Sequence, residues 1–266
     1  MISSSRVLYV AIIALIFSVG CSKKEKVLIE VDFSQSDSWT YLLGADIYGT
    51  VATKDSQQSY SGSLRAFLRA RNKGNSEGVM FGMEDVNLSA EFLSEAENFD
   101  LKNRIEEMKV SFSPQKGVSL SDSLQISRIP SGSWDILRSV ARVVPVLPGS
   151  KMAVGGSWER EQQFPLNLKQ GNATGMLYQV FRLDSLFEHK GNRTAALSWI
   201  FTYRVSLLSD SVPLAGKIPL AGSGRGHANV DLDLKKITRS RASFQVSHFE
   251  DSHIEFSETV HLEEVN

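Results

Sequence analysis

The chain has a single cysteine in its 266 residues. That excludes an intrachain disulfide and any metal site built from several thiolates. Neither charge is in surplus, since 29 Lys and Arg stand against 30 Asp and Glu. The balance gives no reason to expect nucleic acid or a strongly acidic substrate as a partner. Residues 7–19, apolar but for Ser18, fall short of the roughly 20 apolar residues that a membrane-spanning helix needs.

Catalytic signatures are also missing. No serine lies in a G-x-S-x-G elbow. Glu106 and Glu107 are adjacent, so on an extended strand they point to opposite faces. His248 and His253 bracket Glu250, Asp251 and Ser252 and differ in strand parity, which predicts a polar turn rather than a metal site. Gly222-Ser-Gly-Arg-Gly226 has the look of a phosphate loop. Such a loop opens a helix, whereas this one leads into an extended run at 227–234, so a flexible connection is expected. The expectation is a non-enzyme with no cofactor and no metal.

What the sequence does have begins at its N-terminus. Residues 1–6 carry one positive side chain, and the run VLYVAIIALIFSV has the dimensions of a secretory signal core. Gly20 and Cys21 follow directly. This segment resembles the bacterial lipoprotein signal, which ends in a small residue and an invariant cysteine. The resemblance implies residues 1–20 as a signal peptide, cleavage before Cys21, and lipid on Cys21. An ordinary secretory signal with an incidental cysteine, or an uncleaved anchor, is the alternative. Residues 21–26 form a tether that reaches at most about 20 Å, so the body would sit against the bilayer. Ser22 stands where a retention aspartate could have been, which by family analogy favours the outer membrane if the host has two.

Most of the remainder alternates with period two, the pattern of strands with one wet face. In residues 58–72, Leu64, Ala66, Leu68 and Ala70 share one face, and Arg65, Phe67, Arg69 and Arg71 the other. The arginines, with Lys73, are either a phosphate-binding stripe or the solvated side of a sheet. The plainest strand is 195–208. Leu197, Trp199, Phe201, Tyr203 and Val205 line one face of it, as either deep core or the wall of a lipid-binding cavity. Residues 133–144 read as an amphipathic helix, with Ser133 as N-cap, Asp135 in the first turn, and Leu137, Val140, Ala141 and Val144 on one face. Pro145 and Pro148 end it. Residues 87–100 carry only a weak helical or irregular signal.

Two β-rich halves flank that helix, 27–130 and 156–266, with 131–155 as the joint. Trp39 and Trp158 each follow a serine and precede an extended run, and His189-Lys-Gly-Asn192 stands where Asn72-Lys-Gly-Asn75 stood. An internal duplication is expected. The LPGSKMAVGGSW stretch, the Gly222–Gly226 run and the VDLDL hairpin resemble a group of uncharacterised bacterial lipoproteins built from two β-rich repeats. Their architecture is similar to the curved sheets of periplasmic lipoprotein carriers, and no activity comes with the resemblance.

The expected fold is mostly β: a strongly curved antiparallel sheet, or two tandem half-barrels, with one main helix near 133–144. The expected function is that of a membrane-anchored lipoprotein of the bacterial envelope. It would hold an apolar or lipid ligand in the concave face or, alternatively, serve structure or protein interaction with a filled core.

Overall fold

The computed structural model describes residues 25–32, 39–52, 55–71, 78–113, 117–120, 125–129, 132–168, 171–207, 221–249 and 253–265. Along the first half run β1 (Lys26–Leu28), β2 (Thr40–Ala52), β3 (Gln57–Ala70), β4 (Val79–Ala90), α1 (Glu95–Glu106), β5 (Lys109–Ser113), β6 (Gly117–Leu120), β7 (Gln125–Ile129), β8 (Gly132–Asp135) and α2 (Ile136–Val143). The second half contains β9 (Lys151–Ala153), β10 (Ser157–Leu168), β11 (Gly171–His189), β12 (Asn192–Leu207), β13 (Ala221–Asp231), β14 (Lys236–Phe249) and β15 (His253–Glu264).

Among the described residues, eleven strands form one open antiparallel sheet in the order β10-β11-β12-β13-β14-β15-β2-β3-β4-β5-β6. The two halves are therefore not separate sheets, because β15 pairs along its length with β2. Trp39 precedes β2 in mid-sheet, and Trp158 lies in the edge strand β10. Each of these strands begins a run of sequentially paired neighbours.

The sheet is strongly curved, and packing explains why. Helix α2 packs against β14, β15 and also β6. Six strand spacings separate β14 from β6 in the sheet order, about 29 Å if flat. An eight-residue helix is only about 12 Å long, so the sheet has to curl round it. Bulges at Arg65/Phe67, Leu183/Ser185 and Asn229/Val230 add the local twist that curling needs.

The alternation expected of β3 holds, with Leu64, Ala66 and Leu68 buried. The turn between β11 and β12 is a two-residue loop with Lys190 at φ 53° and Gly191 at φ 83°. Two left-handed residues give the primed turn whose twist matches the strands it joins.

Several expectations are corrected. Ser133 is not an N-cap: residues 132–135 form β8, paired with β7, and the helix starts at Ile136. A second and longer helix, α1, replaces the weak signal at 87–100, whose first residues continue β4. Ser94 caps it in a reciprocal capping box with Glu97, so Glu106 and Glu107 stand at a helix end rather than on a strand. The Gly222–Gly226 run is paired strand within β13 and not a flexible connection. The turns at 72–75 and 250–252 lie outside the described residues, as does Cys21.

Candidate functional site

The concave face of β11–β14 is built on a contrast of size. Leu197, Trp199, Phe201 and Tyr203 share the inner side of β12, and all four are buried. Their partners across the ladder on β13 are Ala228, Gly226, Gly224 and Gly222. A Cβ on Gly226 would lie 2.2 Å from the Trp199 ring, and one on Gly224 2.3 Å from Phe201. Gly222 makes the same room for Phe244 of β14, at 2.4 Å. The rings lie over the stretch from Gly222 to Gly226, which has no side chains on that face and so allows an approach this close.

The rings then pack on one another. Trp158 stacks on Phe181 at 5.4 Å between centroids, Phe181 meets Trp199 at 5.7 Å, and Phe201 stacks on Phe244 at 5.9 Å. Each such pair adds about 0.5–1.5 kcal/mol beyond area burial. The Val205 backbone pairs with Gly175 in the same ladder, and its side chain is outside the described set.

Over this wall lie α2 and its continuation to Leu147. Val140, Val143, Val144, Val146 and Leu147 are buried in the same core as the β12 aromatics. Two polar residues of α2 go inward with them. Ser139 Oγ and Arg142 Nη1 both donate to the Glu258 carboxylate of β15, which is 1% exposed. The Arg142 guanidinium also sits 4.1 Å above the Phe244 ring centroid, a cation–π contact. Glu258 faces Phe244 on one side and Ile47 on the other.

Further contacts fasten the plug. Ser240 Oγ donates to the Val143 carbonyl at the helix C-terminus, and Trp158 Nε1 donates to the Val146 carbonyl at 2.8 Å. Glu258 thus receives a guanidinium and a hydroxyl from successive turns of α2, which ties the helix to β15.

An apolar cavity between the plug and the sheet, lined by Val31, Tyr41, Phe81, Phe112, Leu147 and Leu262, has a volume of about 20 Å³. That is room for about one water. Two buried donors on the wall, Gln179 Nε2 and Trp199 Nε1, have no hydrogen-bond partner among the described residues.

The other residues singled out in the sequence are accounted for more simply. Arg65 Nη2 donates to both Asp46 oxygens at 2.8 and 3.0 Å. Arg69 and Arg71 both pair with Glu84, at 3.1 and 3.3 Å. These three arginines are ion-paired on the outer side of a sheet, and Lys73 lies outside the described residues. Among the described residues, no group of three or more His, Cys, Asp or Glu side chains is placed to hold a metal.

Sequence reasoning missed Arg142, Ser139, Glu258 and the three glycines. Parity carried the signal for two of these features. Glu258 sits between Phe256 and Val260 on the apolar side of its strand, and the glycines fall at every second position. A charge on the apolar parity of an alternating run marks a buried pair, because an unpaired one would be too costly.

No protein-family model matches the chain, and no curated protein matches it. Among solved structures, a DUF1329 family protein from Desulfovibrio piger is 8% identical over 85% of this chain and 86% of that one, with a TM-score of 0.20. Pseudomonas aeruginosa OccK2 (OpdF), solved in complex with glucuronate, is 9% identical over 88% of this chain and 99% of that one, with a TM-score of 0.22. Overlap this slight carries no inference about fold or chemistry.

Proposed function

We propose that this chain is a non-catalytic lipoprotein of the bacterial cell envelope, anchored through acyl chains on Cys21 and closed by its own plug. The anchor rests on the signal-like run and the lone cysteine that ends it. Two or three acyl chains, at about 0.8 kcal/mol per buried methylene, hold a protein stably on a membrane. The observation that carries the closed-core part is the burial of Val140, Val143, Val144, Val146 and Leu147 in the core of the concave face, beside a cavity of only about 20 Å³. A small-molecule pocket is ordinarily about 300–1,000 Å³. The protein then acts through its surfaces, in structure or in interaction.

Mass spectrometry of protein made in a bacterial host tests the anchor. The expected product starts at Cys21 and carries acyl mass, and Cys21→Ser is released from the membrane fraction by a high-salt wash that leaves the acylated protein in place. An unmodified N-terminus would overturn the reading.

A second reading keeps an apolar or lipid ligand in the concavity, with α2 displaced to admit it. The unpaired Gln179 and Trp199 donors favour it, as does the burial of Arg142 with Glu258, a costly way to fasten a cover. Phe201→Ala separates the two. In a closed core the truncation costs about 3–5 kcal/mol, read by denaturant melts, and no lipid co-purifies in native mass spectrometry. A small loss, with a fatty acid or phospholipid bound to the wild-type protein, would establish the second reading instead.

A further inference from the structure

The outer face of the same strands carries a site of a different kind. Across the ladder run Arg182 of β11, Ser198 of β12, His227 of β13 and Arg241 of β14. The next row, two residues along each strand, is Val180, Ile200, Arg225 and Ser243. Side chains opposed in adjacent strands stand about 5 Å apart at Cβ, so Arg182, Arg225 and Arg241 belong to one patch. Together these residues line an open trough of about 860 Å³. Arg182, Arg225, His227 and Arg241 are all exposed, and Arg239 extends the patch along β14.

The patch is not neutralised. Among the described residues, no ion pair reaches Arg225, Arg239 or Arg241. Carboxylates stand at the margins: Asp184, 3.6 Å from Arg182, Glu263 opposite Arg239, and Glu159 on the edge strand. The His227 imidazole is held below its ordinary value first by partial burial, then by Arg241, Arg239 and Arg225.

We propose that this trough seats on the phosphate headgroups of an anionic bilayer, so that the body lies with the outer face of β11–β14 against the membrane. Planar guanidiniums and serine hydroxyls suit phosphate oxygens. Ile200, 64% exposed amid the arginines, adds the apolar contact of an interfacial surface rather than of a site for a free ion.

The chain path agrees. Glu25 is bound to Arg193 at the start of β12, and Cys21 is four residues before it, a reach of about 14 Å. Ile200 lies seven residues along β12 from Arg193, roughly 23 Å. A body lying flat from its tether brings the trough to the headgroups. The proposal draws on the anchor reading only for this last point.

The test uses the chain from Ser22 onward, which keeps every described element and has no acyl acceptor. Flotation with phosphatidylcholine vesicles, with and without phosphatidylglycerol, should show binding only where the anionic lipid is present. Each basic side chain near such a surface counts about fivefold in affinity, so Arg225→Gln with Arg241→Gln should weaken binding about 30-fold. The control pair Arg65→Gln with Arg69→Gln should change it little. Ile200→Asn should weaken vesicle binding and leave thermal melting unchanged.

Equal binding to both vesicle types would overturn the proposal, as would full binding by the Arg225/Arg241 variant. Binding of inorganic phosphate in calorimetry, without flotation on either vesicle type, would move the site to a small soluble phosphate and reject the membrane. Because this protein lacks Cys21, the result stands or falls apart from the fate of the anchor.

Discussion

The two halves of the sheet turn arginines to the same side and treat them differently. In β3 and the residue after it, Arg65, Arg69 and Arg71 each meet a carboxylate, Asp46 or Glu84. In β13 and β14, Arg225, Arg239 and Arg241 meet none among the described residues. The chain as a whole is balanced at a net charge of −1, so the difference is one of placement and not of composition. A paired surface arginine contributes at most about 1 kcal/mol to a sheet. Unpaired arginines crowded together repel, which stability alone would not select, and the second half is therefore where a surface function is to be sought. The inner faces differ as well. There the first half packs Tyr41, Phe81 and Phe112 edge to face, with one ring, Tyr60, over Gly49, while the second lays rings over three alternate glycines of a single strand.

The largest expected effect comes from the arginine that belongs to neither surface. Arg142→Ala removes the cation from beside Glu258 and leaves a carboxylate buried in the concave face. Stranding one member of a buried pair costs about 3–5 kcal/mol, read as a fall in the denaturation midpoint. The double change Arg142→Met with Glu258→Leu should recover most of that loss, since apolar residues of similar volume replace buried ion pairs at little cost. If both variants melt alike, the pair is not what fastens α2.

A matched pair of glycines sharpens the contrast between inner faces. A Cβ at Gly62 of β3 would meet Ile47 at 3.2 Å, and one at Gly226 would meet Trp199 at 2.2 Å. Gly226→Ala forces the indole out of place and should cost about 1–3 kcal/mol, the usual range for overpacking. Gly62→Ala needs only a small give from a flexible side chain and should change stability little. Equal effects in thermal melts would show that the glycines of β13 are not there for the rings.

Much of this was legible in the sequence, and the limits have physical reasons. Period-two alternation placed Leu197, Trp199, Phe201 and Tyr203 on one inner face, because a regular strand allows nothing else. The glycine run was misjudged because a G-x-G-x-G segment has the composition of a loop. Only the aromatic parity of β12, its partner across the ladder, explains the missing side chains. Helix α1 was missed although Ser94 and Glu97 spell a capping box, since few apolar residues mark its buried face beyond Leu101 and Ile105. The basic trough was out of reach. Arg182, Arg225 and Arg241 are far apart in the chain, and only the strand order brings them together. The Arg65, Arg69 and Arg71 stripe was conspicuous because its members are neighbours in sequence, and its neutralising carboxylates are not.

Smaller effects separate the outer faces. Arg65→Ala should cost under about 1 kcal/mol, the loss of one exposed ion pair. Arg225→Ala should bring no loss, because no partner is stranded and a repulsion is relieved. A clear destabilisation by Arg225→Ala in chemical denaturation would reveal a carboxylate partner and remove the contrast.

The smallest effect reads the two electrostatic environments directly, through one histidine in each. His227 is held below 6.5 first by burial, then by Arg241, Arg239 and Arg225, with no carboxylate among the causes. His261 is lowered first by burial, then by Arg65 and to a lesser extent by Arg241, but Asp46 and Glu263 pull it back up. In both cases the unfolded chain takes up its proton first as the pH falls. Stability is therefore greatest above 6.5 and declines as the pH drops through the folded value, after which it changes no further on this account. Arg241→Gln should raise the His227 midpoint in an NMR titration and flatten its share of the decline. Asp46→Asn should lower the His261 midpoint and leave His227 where it was. If Arg241→Gln fails to move His227, the arginines of the trough are already neutralised in solution, and the distinction between the two outer faces disappears.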